Sequence, residues 1–384
     1  PGWTWLTISS GGFTRRIKVT VVDTSMTTDF NHDRVVDEDD FARAESGEPF
    51  RFWINDDDDV DAVTGNDTPG QQPGDSSDCR DDGLRDLVDF FPVVIRIPDE
   101  LKESNLNKLS FALKHRADGL NFVRTTLAAE NAGDYLVNVD MAESLQHKGL
   151  ITWDEWGCIW LSDEDVSRLA DQGSLVLLVE AAGWIQDPLW LEVRAPDGCV
   201  VSSNSLALSI MGVEDMYRYL NLRPAAGDSR GGESHTGEPR NNPDVHSNGK
   251  NVVFIHGFNE DPAAGEGNIA ETFKRLYWSG SKAKYTGVAW FGDENLTTYY
   301  HANVINAFET APAYAEYLGN LQGDVSVVAF SLGNIVVSSA IQDYGANPMR
   351  YFMLHAAVAR EAYDVGSFDE AMVQIDWRPY NDGL

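Results

Sequence analysis

Cysteine is scarce: three occur in 384 residues, Cys79, Cys158 and Cys199. None has the paired spacing of a metal-binding knuckle. Cys158 and Cys199 could pair in an exported protein, leaving Cys79 over; three isolated thiols are the equal alternative. Long apolar runs are absent too, and nothing approaches the roughly 18 consecutive apolar residues of a membrane span. Positive charge is in short supply. Lys and Arg number 29 against 61 Asp and Glu, a formal charge of -32. Such a chain repels nucleic acid and anionic membranes and attracts cations, so no nucleic-acid partner is expected. No leader pattern is seen; the sequence opens on Pro1 rather than Met, which is expected if a leader was removed or left out.

The acid that is there is concentrated. Residues 29–100 hold 22 Asp and Glu against 6 Lys and Arg, a net -16 and half of the -32 total. In "DFNHDRVVDEDD", Asp29, Asn31, Asp33, the carbonyl of Val35, Asp37 and Asp40 stand at loop positions 1, 3, 5, 7, 9 and 12. Hard oxygen donors at this alternation suit Ca²⁺. The stretch resembles the calcium loop of dockerins and related EF-hand-like repeats, with Arg34 where the sharp turn usually takes Gly. A second, less regular set is Asn55, Asp57, Asp59 and Asp61, with Asp67 beyond; a solvated acidic loop is the even alternative. Calcium is expected in a structural role.

Organisation follows from periodicity. Residues 3–22 carry two β-like runs, "WTWLTIS" and "RRIKVTVV", and residues 1–100 form an acidic β-rich region. Residues 101–223 stay strand-rich ("LSFALKH", "SLVLLVEAA", "LWLEVRAP"), suggesting a β-sandwich, with "VEDMYRYLNLR" as a closing helix. Residues 224–250 are rich in Gly, Pro, Ser and Asn and read as a linker. From 251 to 384 strands alternate with helices, which implies a parallel sheet with helices on both faces. The expected fold is multidomain, with sandwich-like N-terminal modules and a partial α/β-hydrolase-type domain cut short at its C-terminus.

The chemistry centres on Ala329-Phe330-Ser331-Leu332-Gly333, a serine between a strand and a helix. A tight turn there lifts the hydroxyl above the sheet, and small residues on either side let strand and helix approach. Upstream, Ile255-His256-Gly257-Phe258 also ends a strand. "VVFIHGFNE", "GVAWFGDE", "VVAFSLGNIVVSSAI" and "YFMLHAAV", in that order, resemble the α/β-hydrolase superfamily, in particular bacterial esterase- or lipase-like members with an HGFN loop and an AHSLGN-type elbow. The resemblance spans about residues 250 to 365; Ala329 replaces the usual Gly and Phe330 the usual His. It implies Ser331 as nucleophile, the N–H groups of Phe258 and Leu332 as oxyanion donors, and His256 as a residue shaping the oxyanion loop.

The base and acid are not evident. His355, the one His after Ser331, lies within an apolar run and is expected to be a packed structural residue. His301 precedes the serine, near an expected helix start. Asp364 is a candidate acid if it follows the next strand. The catalytic His is expected beyond residue 384. The expected function is a secreted or cell-surface serine hydrolase acting on a small-molecule or lipid ester, with calcium-stabilised modules. The alternative is a non-catalytic, calcium-dependent surface or adhesion protein built on a degenerate hydrolase scaffold.

Overall fold

The computed structural model describes residues 3–20, 24–55, 85–102, 106–116, 119–294 and 300–358. Asp57, Asp59, Asp61, Asp67, Cys79 and Asp364 lie outside them. The chain divides into two compact units, with the main break between Gly212 and Val213.

The first unit is β-rich. Strands β1 (Trp3–Ser10) and β2 (Phe13–Thr20) form a hairpin. Gly11 and Gly12, both at positive φ, supply the left-handed pair that a two-residue hairpin loop requires. One antiparallel sheet has the order β3 (Ser25–Thr27), β5 (Phe91–Arg96), β9 (Ser174–Ala181), β7 (Leu120–Arg124). The second has the order β11 (Val200–Leu206), β10 (Leu189–Arg194), β6 (Ser110–Lys114), β8 (Cys158–Trp160). Strands β4 (Phe50–Trp53) and β12 (Leu208–Met211) pair in parallel. Along β9 every residue after Ser174 is buried, which explains its continuous apolar run; β10 alternates buried and outward residues. Helices α1 (Glu38–Glu45), α2 (Asp99–Lys102), α3 (Val139–Gln146) and α4 (Asp163–Gln172) complete the unit. In α4, Ser162 and Asp165 form a capping box and Gly173 closes the end in the left-handed region. Cys158 is a buried free thiol and Cys199 an exposed one, so the two do not pair.

Among the described residues the second unit holds a five-stranded parallel sheet. Its order is β13 (Arg218–Asn221), β15 (Lys284–Ala289), β14 (Asn251–Ile255), β16 (Val325–Phe330), β17 (Arg350–Leu354). Helices α5 (Pro262–Trp278), α6 (Tyr300–Asn320) and α7 (Gly333–Gln342) connect it. Val253, Ile255, Val288, Val327, Ala329, Tyr314 and Val336 lie in its core. Pro312 sits inside α6 instead of ending it.

Two local expectations are corrected. "VEDMYRYLNLR" is not a helix. Val213–Met216 makes a single 3₁₀ turn, and Arg218–Asn221 then pairs with Thr286–Ala289 as the outer strand β13. Its mixed polarity suits a sheet edge, and strand pairing overrides the helix-like spacing. Residues 224–250 are an ordered part of this unit, not a free linker. Tyr219 and His235 exchange backbone hydrogen bonds, Arg240 pairs with Asp215 at 3.0 Å, and Asn241 is buried. Polar side chains pin this segment where apolar ones are missing, so composition alone misreads it.

Candidate functional site: the Ser331 turn and the His256–Glu260 loop

Strands β14 and β16 are neighbours, so their C-terminal ends bring residues 256–260 beside residues 331–334. Ser331 has φ 48°, a left-handed conformation uncommon for a residue with a Cβ. Its N–H donates to the Leu354 carbonyl (2.9 Å), and its own carbonyl accepts from Ala357 N–H (3.1 Å) and from the Asn334 side chain (2.8 Å). Helix α7 starts two residues later, directing its N-terminal dipole at the turn.

Two glycines permit the crowding. A Cβ on Gly333 would collide with the His256 carbonyl oxygen. A Cβ on Gly257 would stand 2.8 Å from the Phe330 ring and 3.1 Å from the Ser331 Cβ. Sequence reasoning assigned the Gly333 requirement and missed that of Gly257. It also missed Asn334. This buried side chain donates to Ala329 O (3.0 Å) and Ser331 O, and accepts from the Tyr351 hydroxyl (2.8 Å). An amide inside the apolar run "GNIVVSSAI" was the available signal.

The loop after β14 is fixed by a polar cluster. His256 is fully buried, and burial pushes its pKa down to about 3. It is therefore neutral: Nε2 accepts from Trp290 N–H (3.1 Å), leaving Nδ1–H to donate to the Gly257 carbonyl (3.0 Å). With both nitrogens engaged it is no general base. Glu260, unremarked in the sequence, accepts from Gly257 N–H (3.2 Å) and from Asn268 (2.9 Å), and burial lifts its carboxyl to about 7. The Gly257 amide is thus occupied. The N–H groups of Phe258 and Leu332 donate to no acceptor among the described residues.

The remaining imidazoles differ from expectation in one case. His301 is exposed, at the second residue of α6, near a helix start as expected. His355 is not packed within a strand: β17 ends at Leu354, and His355 is exposed, at φ 44°. β17 is the outer strand of the sheet on this side among the described residues, so its apolar side chains are not enclosed. His355 lies between Leu354 and Ala357, the two residues bonded to the Ser331 backbone, and its ring meets Phe330 edge-on at 6.0 Å. Among the described residues no carboxylate bonds to His355.

In the first unit, the 29–40 loop curls around its own carboxylates. Asp29 accepts N–H bonds from His32 (2.6 Å), Asp33 and Arg34, and Asp40 from Phe30 and Asp37. Arg34 takes φ 75°, so the chain makes the left-handed turn at position 6 without Gly. Burial raises Asp29 to about 7 and Asp40 to about 6; repulsion from Asp40 and Asp33 adds to the first, and from Asp37 and Asp33 to the second. No group of three or more His, Cys, Asp or Glu converges as a ready-made metal site among the described residues. No helix among them is long and apolar enough to cross a membrane. No protein-family model matches this chain, and no curated protein matches it.

Proposed function

We propose that the second unit is a serine hydrolase acting on a carboxylic ester, on the α/β-hydrolase plan. The observation that carries this reading is the strained, left-handed Ser331 at a strand-to-helix turn, with glycines at both points of closest approach. Strain of this kind is retained where the surroundings enforce it, as they do at a nucleophile that must stand clear of the sheet. Ser331 Oγ attacks the acyl carbon, and its proton passes to an imidazole. The carbonyl π electrons move to oxygen, where the N–H groups of Phe258 and Leu332 stabilise the charge. Collapse expels the alcohol, which takes the proton, and water then releases the acid from the acyl-serine. His355 is the base this reading assigns within the described residues; an acid partner such as Asp364 falls outside them.

The substrate class is a small-molecule or lipid ester, and the setting is secreted or cell-surface. We also propose that Asp29, Asn31, Asp33, the Val35 carbonyl, Asp37 and Asp40 hold a structural Ca²⁺. The donor set is all oxygen, and among the described residues the buried Asp29 and Asp40 carboxylates accept from backbone N–H groups alone. The non-catalytic reading is favoured by one observation: among the described residues no carboxylate bonds to His355.

Hydrolysis of short-chain p-nitrophenyl esters tests the enzyme reading. Ser331→Ala is expected to lower kcat/KM by at least about a thousandfold, and His355→Ala similarly if it is the base. Turnover unchanged by Ser331→Ala would overturn the assignment.

A further inference from the structure

The outward face of the β11-β10-β6-β8 sheet carries an arrangement that neither the ester chemistry nor the calcium loop uses. Trp156, Trp160 and Trp190 are 76%, 41% and 42% exposed. Solvent-facing indole on this scale is unusual unless something covers it. Register places the rings. Trp190 pairs with Lys114, which pairs with Cys158; Glu192 pairs with Ala112, which pairs with Trp160. Directly paired residues share a face, so these six form two rows of three with tryptophans at opposite corners. Two strand spacings and one two-residue step separate the tryptophans, about 12 Å between their Cα atoms. Trp156 lies on the turn leading into β8, at the Trp190 end.

Between Trp190 and Trp160, on the middle strand, lie Lys114 and Ala112. Ala112 and Cys158 are small, and the larger side chains around them keep them buried. Trp160 is held in place: its Nε1 donates to Asp154 (2.7 Å), and Arg194 lies 5.7 Å from its centroid. The charges cancel. Glu192 pairs with Lys114 (3.5 Å) and Arg194 (2.6 Å), and Asp154, bonded to Trp160, brings the count of this group to two acids and two bases. Ser203 and Ser205, opposite Glu192 and Trp190, add hydroxyls.

We propose that this face binds a neutral polysaccharide. A pyranose ring offers one apolar C–H face, which stacks on indole, and a rim of hydroxyls that bond to paired charges and serines. A chain of such rings suits a sheet face bearing two tryptophans whose Cα atoms lie about 12 Å apart. A locally neutral patch on a chain of charge -32 complements an uncharged polymer and not a polyanion. The proposal is independent of the ester hydrolase reading.

Affinity electrophoresis of the full chain through gels holding hydroxyethyl cellulose, xylan, mannan or laminarin tests it, with alginate as the anionic comparison. Retardation is expected by at least one neutral polymer and not by alginate. Trp160→Ala and Trp190→Ala are each expected to weaken it about tenfold, Trp190→Phe much less, and Ser331→Ala not at all. Unchanged circular dichroism of the variants keeps a folding defect apart. Retardation by none of the neutral polymers would overturn the proposal. So would equal retardation of the tryptophan variants, or self-association on size exclusion that Trp190→Ala abolishes.

Discussion

Gly333 is pressed against the carbonyl oxygen of His256, so the first residue of α7 and the end of β14 share a space too small for a methyl group. This contact joins the serine turn to the loop that would hold the oxyanion. Gly333→Ala must push the two apart. A loss of about 1–3 kcal/mol in stability is expected, measured by denaturant unfolding, with esterase activity falling further than stability alone accounts for. An alanine variant as stable as wild type would show that the approach is looser than described.

Ser331 itself offers a stability–function split. Its φ of 48° costs a residue with a Cβ about 1 kcal/mol or more, a cost that Gly avoids. Ser331→Gly is therefore expected to unfold at higher denaturant than Ser331→Ala, while both are inactive. Equal midpoints would argue against strain at this turn.

Asn334 ties three carbonyl-bearing segments together, at Ala329, Ser331 and Leu354. Asn334→Ala leaves buried acceptors and the Tyr351 hydroxyl with lost partners, and about 2 kcal/mol of destabilisation is expected. Asn334→Asp is expected to be worse, because a carboxylate would face those carbonyl oxygens. Urea unfolding of the two variants gives the order.

The acidic loop makes a pH prediction with a definite sign. Asp29 and Asp40 have folded pKa values of about 7 and about 6, above the ordinary carboxylate value. Between that ordinary value and about 7 the folded state binds more protons than the unfolded one. Without metal, stability should therefore fall as pH rises from about 4 to about 7. Glu260, at about 7, contributes with the same sign in the other unit. Calcium favours the ionised loop carboxylates, so saturating Ca²⁺ should remove the loop's share of the slope and raise the first unit's melting temperature. Melting curves at pH 5 and 7.5, with chelator and with calcium, read this directly. No calcium effect at pH 7.5 would remove the metal assignment.

Much of the second unit was legible because its candidate site sits at strand ends. "FIHGF" and "AFSLG" each couple an apolar strand to a glycine at a crowded turn, and neighbouring strands brought them together. Asn334, Glu260 and Trp290 were not legible, since each acts through tertiary contacts that spacing does not encode. His355 departs from the sequence expectation because the apolar run around it reads as one enclosed strand, whereas β17 stops at Leu354. Strand β13 was missed because four residues at a sheet edge carry too little alternation to outweigh helix-like spacing. The tryptophan face was invisible until register placed Trp160 and Trp190 on one side of one sheet.

The decisive measurement for the serine site is the intact mass after treatment with a fluorophosphonate at pH 8, followed by peptide mapping. A single phosphonyl adduct on Ser331, absent from Ser331→Ala, is the expected result. Wild-type protein that stays unmodified, or carries its adduct elsewhere, would contradict the hydrolase reading.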